Sequence, residues 1–497
     1  MPLILPGNVA SATASTTYDV ANSCRFNSAD EPCLYKAFGT PTSVDRWTIS
    51  YWVKRGNISG SSDDGVENIW GTISNDGTYN VDCRFNGSDD MRFTFWQGSS
   101  TVAKLNTTQK FRDTSAWYHM VNVWDSGNAT AGDRMKWYVN GVEVTSFSTD
   151  TNPSQDLDSY WNSDGSIATI GSMRSPAGSG SGNGEGSSGD YYLAEFVFCD
   201  GQAYAASDFG EFNEDSPTIW QPKKVSGLTF GNNGFYLDFK ASGNLGNDAN
   251  GGTDLTEQNI AAADQSTDTP TNNFCVMNNL DNYYAGSAFS EGNCTIITTS
   301  SGYYYHTATV WLSAGKWYWE IKLTSGAGGE FQIGLANKTR TSESPLGAGL
   351  FNYEYQAETG KIQYNTGAGQ TLSGSWGATA AAGDIIGVYL DLDNYKLYIA
   401  KDGVIMNSGT GYTITAPAST TQGWYTPALN YGNGSQSATF ECNFGGCPAF
   451  ALSSAVNDAN GYGNFEFDPS DGGSSSFDSA AKDFLAICTK NLGSDGG

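Results

Sequence analysis

A chain of 497 residues is too long for one hydrophobic core, so two or more domains are expected. Its formal charge of -27, with only 25 Lys and Arg spread along it, excludes nucleic acid and anionic membrane surfaces as partners, because phosphate binding needs clustered cations. Charged residues are 15%, aromatics 13%, and 61 residues are Gly, a mixture that favours short strands joined by tight turns and so an all-β fold.

The opening MPLILPGNVASA has no basic n-region and too short an apolar run for a signal peptide. No later stretch approaches the roughly 20 apolar residues of a membrane span, so folding in a cytosol without membrane insertion is expected. Period-two alternation then recurs between Gly, Asn and Asp clusters. In a first block, residues 46–56, 91–98, 117–125, 135–144 and 191–201 read as strands, ending near Trp220. Inside it, SPAGSGSGNGEGSSGD (175–190) reads as a surface loop.

The stretch 246–274 is polar, short of large apolar residues, and reads as a connector. In a second block, residues 316–323, 331–336, 383–393, 395–403 and 438–446 read as strands. Trp317, Trp319 and Ile321 share one face, and Tyr318, Glu320 and Lys322 the other. Asn140-Gly141 and Asp402-Gly403 are hairpin turn signals. Most of the 14 Trp are assigned to sandwich cores. The tail contains one segment with helix-like spacing, FDSAAKDFLAICTKNL (477–492). Nine cysteines without a C-x-x-C pair read as buried free thiols, although Cys442 and Cys447 are close enough in sequence to meet across a turn.

The chemistry-bearing motifs are few. AEFVFCDGQAYAASDFGEF (194–212) carries four carboxylates, but alternation does not settle which way Glu195 faces, and Phe209 and Phe212 read as pinning the exit segment back onto the sandwich. A glycanase needs two carboxylates about 5 to 9.5 Å apart across a cleft. The nearest string, Glu466-Phe-Asp468-Pro-Ser-Asp471, lies outside both blocks and carries a Pro. His119 and His306 belong to no nucleophile motif, and Gly178-Ser-Gly180-Ser-Gly182 is low-complexity sequence rather than a nucleophile elbow. No P-loop or dinucleotide fingerprint is present. The chain is therefore read as a non-enzyme.

Two resemblances emerge from these residues. WYHMVNVWD, MKWYVNGVEV, IATIGS and LAEFVFCDG, in that order, resemble the laminin-G-like, concanavalin-A-type jelly roll. GKWYWEIKL, FQIGLA, GDIIGVYLDLDNYKLYIAKDG and CNFGGCPAF resemble a SPRY (B30.2-type) sandwich. The whole arrangement, with FGEF, IWQPKKVSGLTFGNNGFYLDF, DQSTDTPTNNF and FLAICTKNL, is similar to tail-fibre or lectin-like virion proteins of tailed phages. That resemblance implies two tandem antiparallel β-sandwiches divided as follows: 1–30 N-terminal docking segment, 31–220 jelly roll, 221–275 connector, 276–455 SPRY-like sandwich, 456–497 C-terminal tail with a short helix.

It also implies a virion protein, made in the host cytoplasm, that meets other virion proteins and a host surface glycan or protein and self-associates, with a homotrimer as the guess. The alternatives are a capsid-surface or vertex decoration protein and a polysaccharide depolymerase. Loops at the sandwich ends would carry specificity, with Tyr353 and Tyr355 in LFNYEYQAETG and Trp424 and Tyr425 in QGWYTPALNYGNG as binding residues. The alternative is that these rings pack under their own loops. No cofactor is implied by the residues themselves. Laminin-G-like domains often bind calcium, and Asn75-Asp76-Gly77, Asp89-Asp90, Asn162 to Gly165 and Gly246 to Asp248 are the loops that could hold it, although such pairs are turn formers first.

Overall fold

Alternating strands bury one face each, and in the computed structural model they close into two sandwiches. The structure describes residues 18–58, 67–175, 188–281, 287–298, 304–326, 330–339, 346–432, 437–470 and 482–495. Two compact units divide the chain after Thr271.

The first unit comprises β1 (Ser23–Phe26), β2 (Cys33–Ala37), β3 (Arg46–Arg55), β4 (Glu67–Ile73), β5 (Tyr79–Phe85), β6 (Met91–Gln97) and β7 (Ser100–Thr107). It continues with β8 (Trp117–Asp125), β9 (Met135–Val139), β10 (Val142–Glu143), β11 (Phe147–Thr151), β12 (Ile167–Ile170) and β13 (Tyr191–Asp200). Five short strands complete it: β14 (Gly210–Phe212), β15 (Trp220–Pro222), β16 (Phe235–Leu237), β17 (Thr256–Gln258) and β18 (Gln265–Ser266).

One sheet runs β10-β9-β8-β3-β13-β1-β18, with β16 also on β13, and the other runs β11-β7-β6-β5-β4-β12-β2-β17. Between them lies an aromatic core that includes Trp47, Trp70, Trp124, Trp137 and Trp161. Asn140 and Gly141 both have positive φ, the type I′ hairpin that their sequence signals.

The stretch 221–275 is no connector. Phe235–Leu237 pairs with β13, Thr256–Gln258 with β2 and Gln265–Ser266 with β1. Leu255 and Ile260, among the few large apolar residues there, both enter the core. Asp248 builds the turn by accepting from the backbone N–H of Tyr236, Asn250 and Gly252. Lys54 and Asp268, both buried, form an ion pair of 2.6 Å that fastens this strap to the sheet. Strands of two or three residues at sheet edges are held by backbone pairing, which leaves almost no trace in a hydrophobic pattern.

The second unit contains β19 (Ala288–Ser290), β20 (Thr295–Ile297), β21 (Tyr304–Thr307), β22 (Lys316–Ser325), β23 (Glu330–Ala336), β24 (Tyr353–Gln356), β25 (Lys361–Asn365) and β26 (Gln370–Leu372). After these come β27 (Ile385–Asp391), β28 (Lys396–Lys401), β29 (Val404–Ile405), β30 (Tyr412–Thr413), β31 (Thr426–Gly432), β32 (Thr439–Asn443), β33 (Leu485–Ala486) and α1 (Thr489–Asp495). Its sheets run β19-β20-β32-β22-β27-β28-β29, with β30 on β28 and β33 on β22, and β21-β31-β23-β24-β25-β26. Trp317, Trp319 and Ile321 fill the core, as alternation predicts.

The end of the chain departs from expectation. Helix-like spacing at 477–492 gives way to a strand, Leu485–Ala486, parallel to β22, and helix begins only at Thr489. Leu485 and Ile487 enter the main core, whereas Phe484, Ala486 and Cys488 join Tyr318, Tyr389 and Phe465 in a second cluster. An unbroken apolar run conceals that period of two. Residues 456–470 and 482–492 are thus part of the sandwich rather than a docking tail. Residues 1–17 and 471–481 of the proposed docking segments, and most of the Gly/Ser loop, lie outside the described residues. All nine cysteines are buried, Cys442 and Cys447 included.

Candidate ligand-binding face

Strands β5, β6 and β7 form an antiparallel meander whose inward residues are all core: Val81, Cys83, Phe85, Met91, Phe93, Phe95, Ala103 and Leu105. Strand register lines up the outward residues in rows. Arg84 lies opposite Arg92 and Arg92 opposite Asn106. In the next row Asp82 lies opposite Thr94 and Thr94 opposite Lys104, and beyond that Asn80 faces Trp96. Trp96 is exposed at 37%, alone among the 14 tryptophans.

Two open hollows flank the arginines. One, of about 380 Å³, is lined by Arg84, Asn86, Gly87, Ser88, Asp90, Arg92 and Asn106. The other, of about 390 Å³, is lined by Arg84, Arg92, Asn80, Trp96, Gly77, Gly98 and Ile73. Asp82, fully buried beneath, accepts from Arg92 at 3.1 and 3.2 Å and lies 3.4 Å from Arg84 Nε. Burial disfavours the charge on Asp90, but bonds from Lys110, Ser88 and Asn86 outweigh it and hold the carboxyl below the usual carboxylate range. A general acid at neutral pH needs the opposite shift.

The sequence-derived binding residues are placed elsewhere. Tyr353, Tyr355 and Tyr425 belong to the core of the second sandwich. Their hydroxyls are engaged: Tyr355 donates to Ala378 O at 2.6 Å, Tyr425 donates to Thr415 O at 2.9 Å, and Tyr353 accepts from Thr415 N–H at 2.9 Å. These three rings pack under their own loops, so the exposed-aromatic reading is corrected for them. Trp424 is half-buried, edge-on to Trp311 at 6.3 Å. We expect Tyr355→Phe to cost about 1 kcal/mol in denaturant unfolding by stranding one carbonyl, with ligand affinity unchanged; a specific loss of affinity would restore a binding role.

Glu195 has φ of 48° at a bulge where β13 slips against β3 between Ala194 and Val197. The inserted residue explains why Leu193, Phe196 and Phe198 do not alternate. Tyr236 donates to Glu195 at 2.6 Å and Tyr18 at 3.2 Å. His119, next to it on the same outer face, accepts from Trp220 Nε1 on Nδ1 at 3.0 Å and meets Ser50 Oγ through Nε2 at 2.9 Å. An indole N–H can only donate, so the proton sits on Nε2 and is given to Ser50, the wrong tautomer for a base that would activate a serine. Phe209 is buried over this region, whereas Phe212 is 43% exposed and lies edge-on to Trp220.

The Asp-rich loops use their carboxylates internally. Asp76 caps its turn through Ser74 and Thr78, and Asp89 pairs with Arg55 and Arg112. Glu466 accepts from Ser453 and Asp468 from Ser470, while Asp471 lies outside the described residues.

The arginine pair was missed in the sequence. Its signal was there: Arg84 and Arg92 stand equidistant from Ser88 in CRFNGSDDMRF, so any hairpin closing on NGSDD sets them opposite.

A concanavalin-A-like sandwich followed by a SPRY sandwich is the class of protein this fold defines. Residues 35–177 match the concanavalin A-like lectin/glucanases superfamily, and residues 316–446 match the SPRY domain. Among solved structures the chain is similar to the SPRY domain of human HERC1, with 13% identity over 33% of this chain and 96% of that one and a TM-score of 0.28. It is similar to the native heptameric SAP-like pentraxin from Limulus polyphemus, with 18% identity over 38% and 80% and a TM-score of 0.28. It is also similar to domains LG4-5 of the mouse laminin alpha1 chain, with 11% identity over 84% and 85% and a TM-score of 0.28. No curated protein matches.

Proposed function

We propose that the protein is a non-catalytic adhesin that holds a surface saccharide on the outer face of β5–β7. The observation that carries this reading is Trp96, exposed beside two guanidiniums and the Asn80 amide, with the amides of Asn86 and Asn106 in the adjoining hollow, on an open face of a lectin-type sandwich. A flat aromatic face packs on the apolar side of a sugar ring while neighbouring polar groups bind its hydroxyls. The absence of catalysis is supported by the state of the groove's carboxylates: Asp82 is tied to the arginines, and Asp90 is held ionised by its donors.

The tail-fibre setting, with a virion location, virion partners, a host surface receptor and homotrimeric assembly, is supported by the sequence resemblance to phage virion proteins. In binding to immobilised glycans and to intact host cells, Trp96→Ala should weaken affinity by about tenfold, with Trp424→Ala unchanged. Wild-type binding by Trp96→Ala would remove this face from consideration, and release of reducing ends would identify a depolymerase.

A further inference from the structure

Two arginines directly opposite each other on neighbouring strands repel, and a sheet built for stability alone has no use for them. Asp82 compensates them only in part. The described residues offer no acceptor to buried Arg92 Nε, nor any hydrogen-bond acceptor to Arg84, and Asn80 Oδ1 is buried without a donor. Lys104 stands one row away, and burial followed by repulsion from Arg92 and Arg84 lowers its pKa. With Lys110 paired to Asp90, four cations face two carboxylates, Asp82 and Asp90, in a chain whose formal charge is -27.

We propose that the ligand is an acidic saccharide whose carboxylate or sulfate lies across Arg84 and Arg92, with one sugar unit in each flanking hollow. This rests on the reading of the face as a saccharide site. Guanidinium forks match both oxyanions in bidentate geometry, which an ammonium cannot do. The hollow beside Trp96 takes a ring by stacking, and the hollow lined by Asn86, Ser88 and Asn106 takes its neighbour by hydrogen bonding. Because the rest of the protein is strongly acidic, the site suits isolated charges on a sugar chain and disfavours a dense polyanion.

The test is a panel of uronic-acid oligosaccharides, each paired with its methyl ester, and sulfated oligosaccharides paired with desulfated forms, titrated against the full chain. At least one charged member should bind about tenfold tighter than its neutral partner. About 0.5 M salt should remove the difference. Arg84→Gln should lower affinity for the charged member by about tenfold and change that for the neutral member by less than about twofold. Arg92→Gln should do the same, and the unfolding midpoint of each variant checks that it folds. Equal binding of charged and neutral members overturns the acidic-ligand proposal while leaving a saccharide site. Binding of no member overturns both.

Discussion

Replacing Glu320 with alanine is expected to destabilise the second sandwich by about 3–5 kcal/mol and to expose the segment around Phe465 to protease. Glu320 sits on the outer face of β22, buried, and accepts four hydrogen bonds. Tyr318 Oη donates at 2.8 Å, Asn443 Nδ2 at 2.8 Å, Glu466 N–H at 3.0 Å and Phe467 N–H at 2.8 Å. Burial pushes its pKa up against the pull of those donors. Truncation strands all four at once, and two are the backbone groups that hold residues 466 and 467 to the sheet. Gln is a poor substitute, because its amide NH₂ would face two of the donors. The measurement is denaturant unfolding with limited proteolysis alongside. Wild-type resistance of the Phe465–Phe467 segment in Glu320→Ala would show that the satellite core around Tyr318, Tyr389 and Phe484 suffices without the carboxylate.

The second large effect is a pH profile set by two buried groups of the first sandwich acting in opposite senses. Burial raises Glu195 from 4.5 to about 7, against hydrogen bonds from Tyr236 and Tyr18. Burial lowers His119 from 6.5 to about 3. Folded Glu195 keeps a proton that the unfolded chain has lost, so stability falls as pH rises from about 4.5 to about 7, by roughly 3 kcal/mol in all. Folded His119 refuses a proton that the unfolded chain takes, so stability falls as pH drops from about 6.5 to about 3, by roughly 5 kcal/mol. Across the overlap the two slopes cancel, leaving a plateau between about pH 4.5 and 6.5. Glu195→Gln should abolish the decline above the plateau, and His119→Gln should flatten the fall below it. Unfolding midpoints from pH 3 to 8 that are the same in Glu195→Gln as in the parent would sink this account.

Trp220 sets the tautomer of His119, and the tyrosines that bond Glu195 come from residues 18 and 236, far along the chain from the bulge they cover. AEFVFCDGQAY showed a carboxylate among aromatics, and its burial is the work of segments that sequence proximity does not reveal.

Much of the architecture was legible in the chain. Val81, Cys83 and Phe85 alternate with Asn80, Asp82 and Arg84, and KWYWEIKL divides its faces the same way, because side-chain direction in a strand depends only on the parity of position. That local rule, with Asn140-Gly141 and Asp402-Gly403 turning the chain at positive φ, was enough for two antiparallel sandwiches. Tyr353 and Tyr355 show its limit. Loop-like neighbours suggested exposure, yet the pair forms the start of β24 and faces the core.

Only the folded molecule decided which residues became neighbours across strands and which faces were covered. Arg84, Arg92 and Lys104 belong to three strands and form a patch because register aligns them. The straps at 235–266 and 484–488 join the sandwiches through backbone pairing and a handful of buried rings, Lys54 finds Asp268 across 214 residues, and Glu320 finds Phe467 across 147. Periodicity is a property of one strand, whereas register and coverage are properties of the packed whole, where distant segments compete for the same surface.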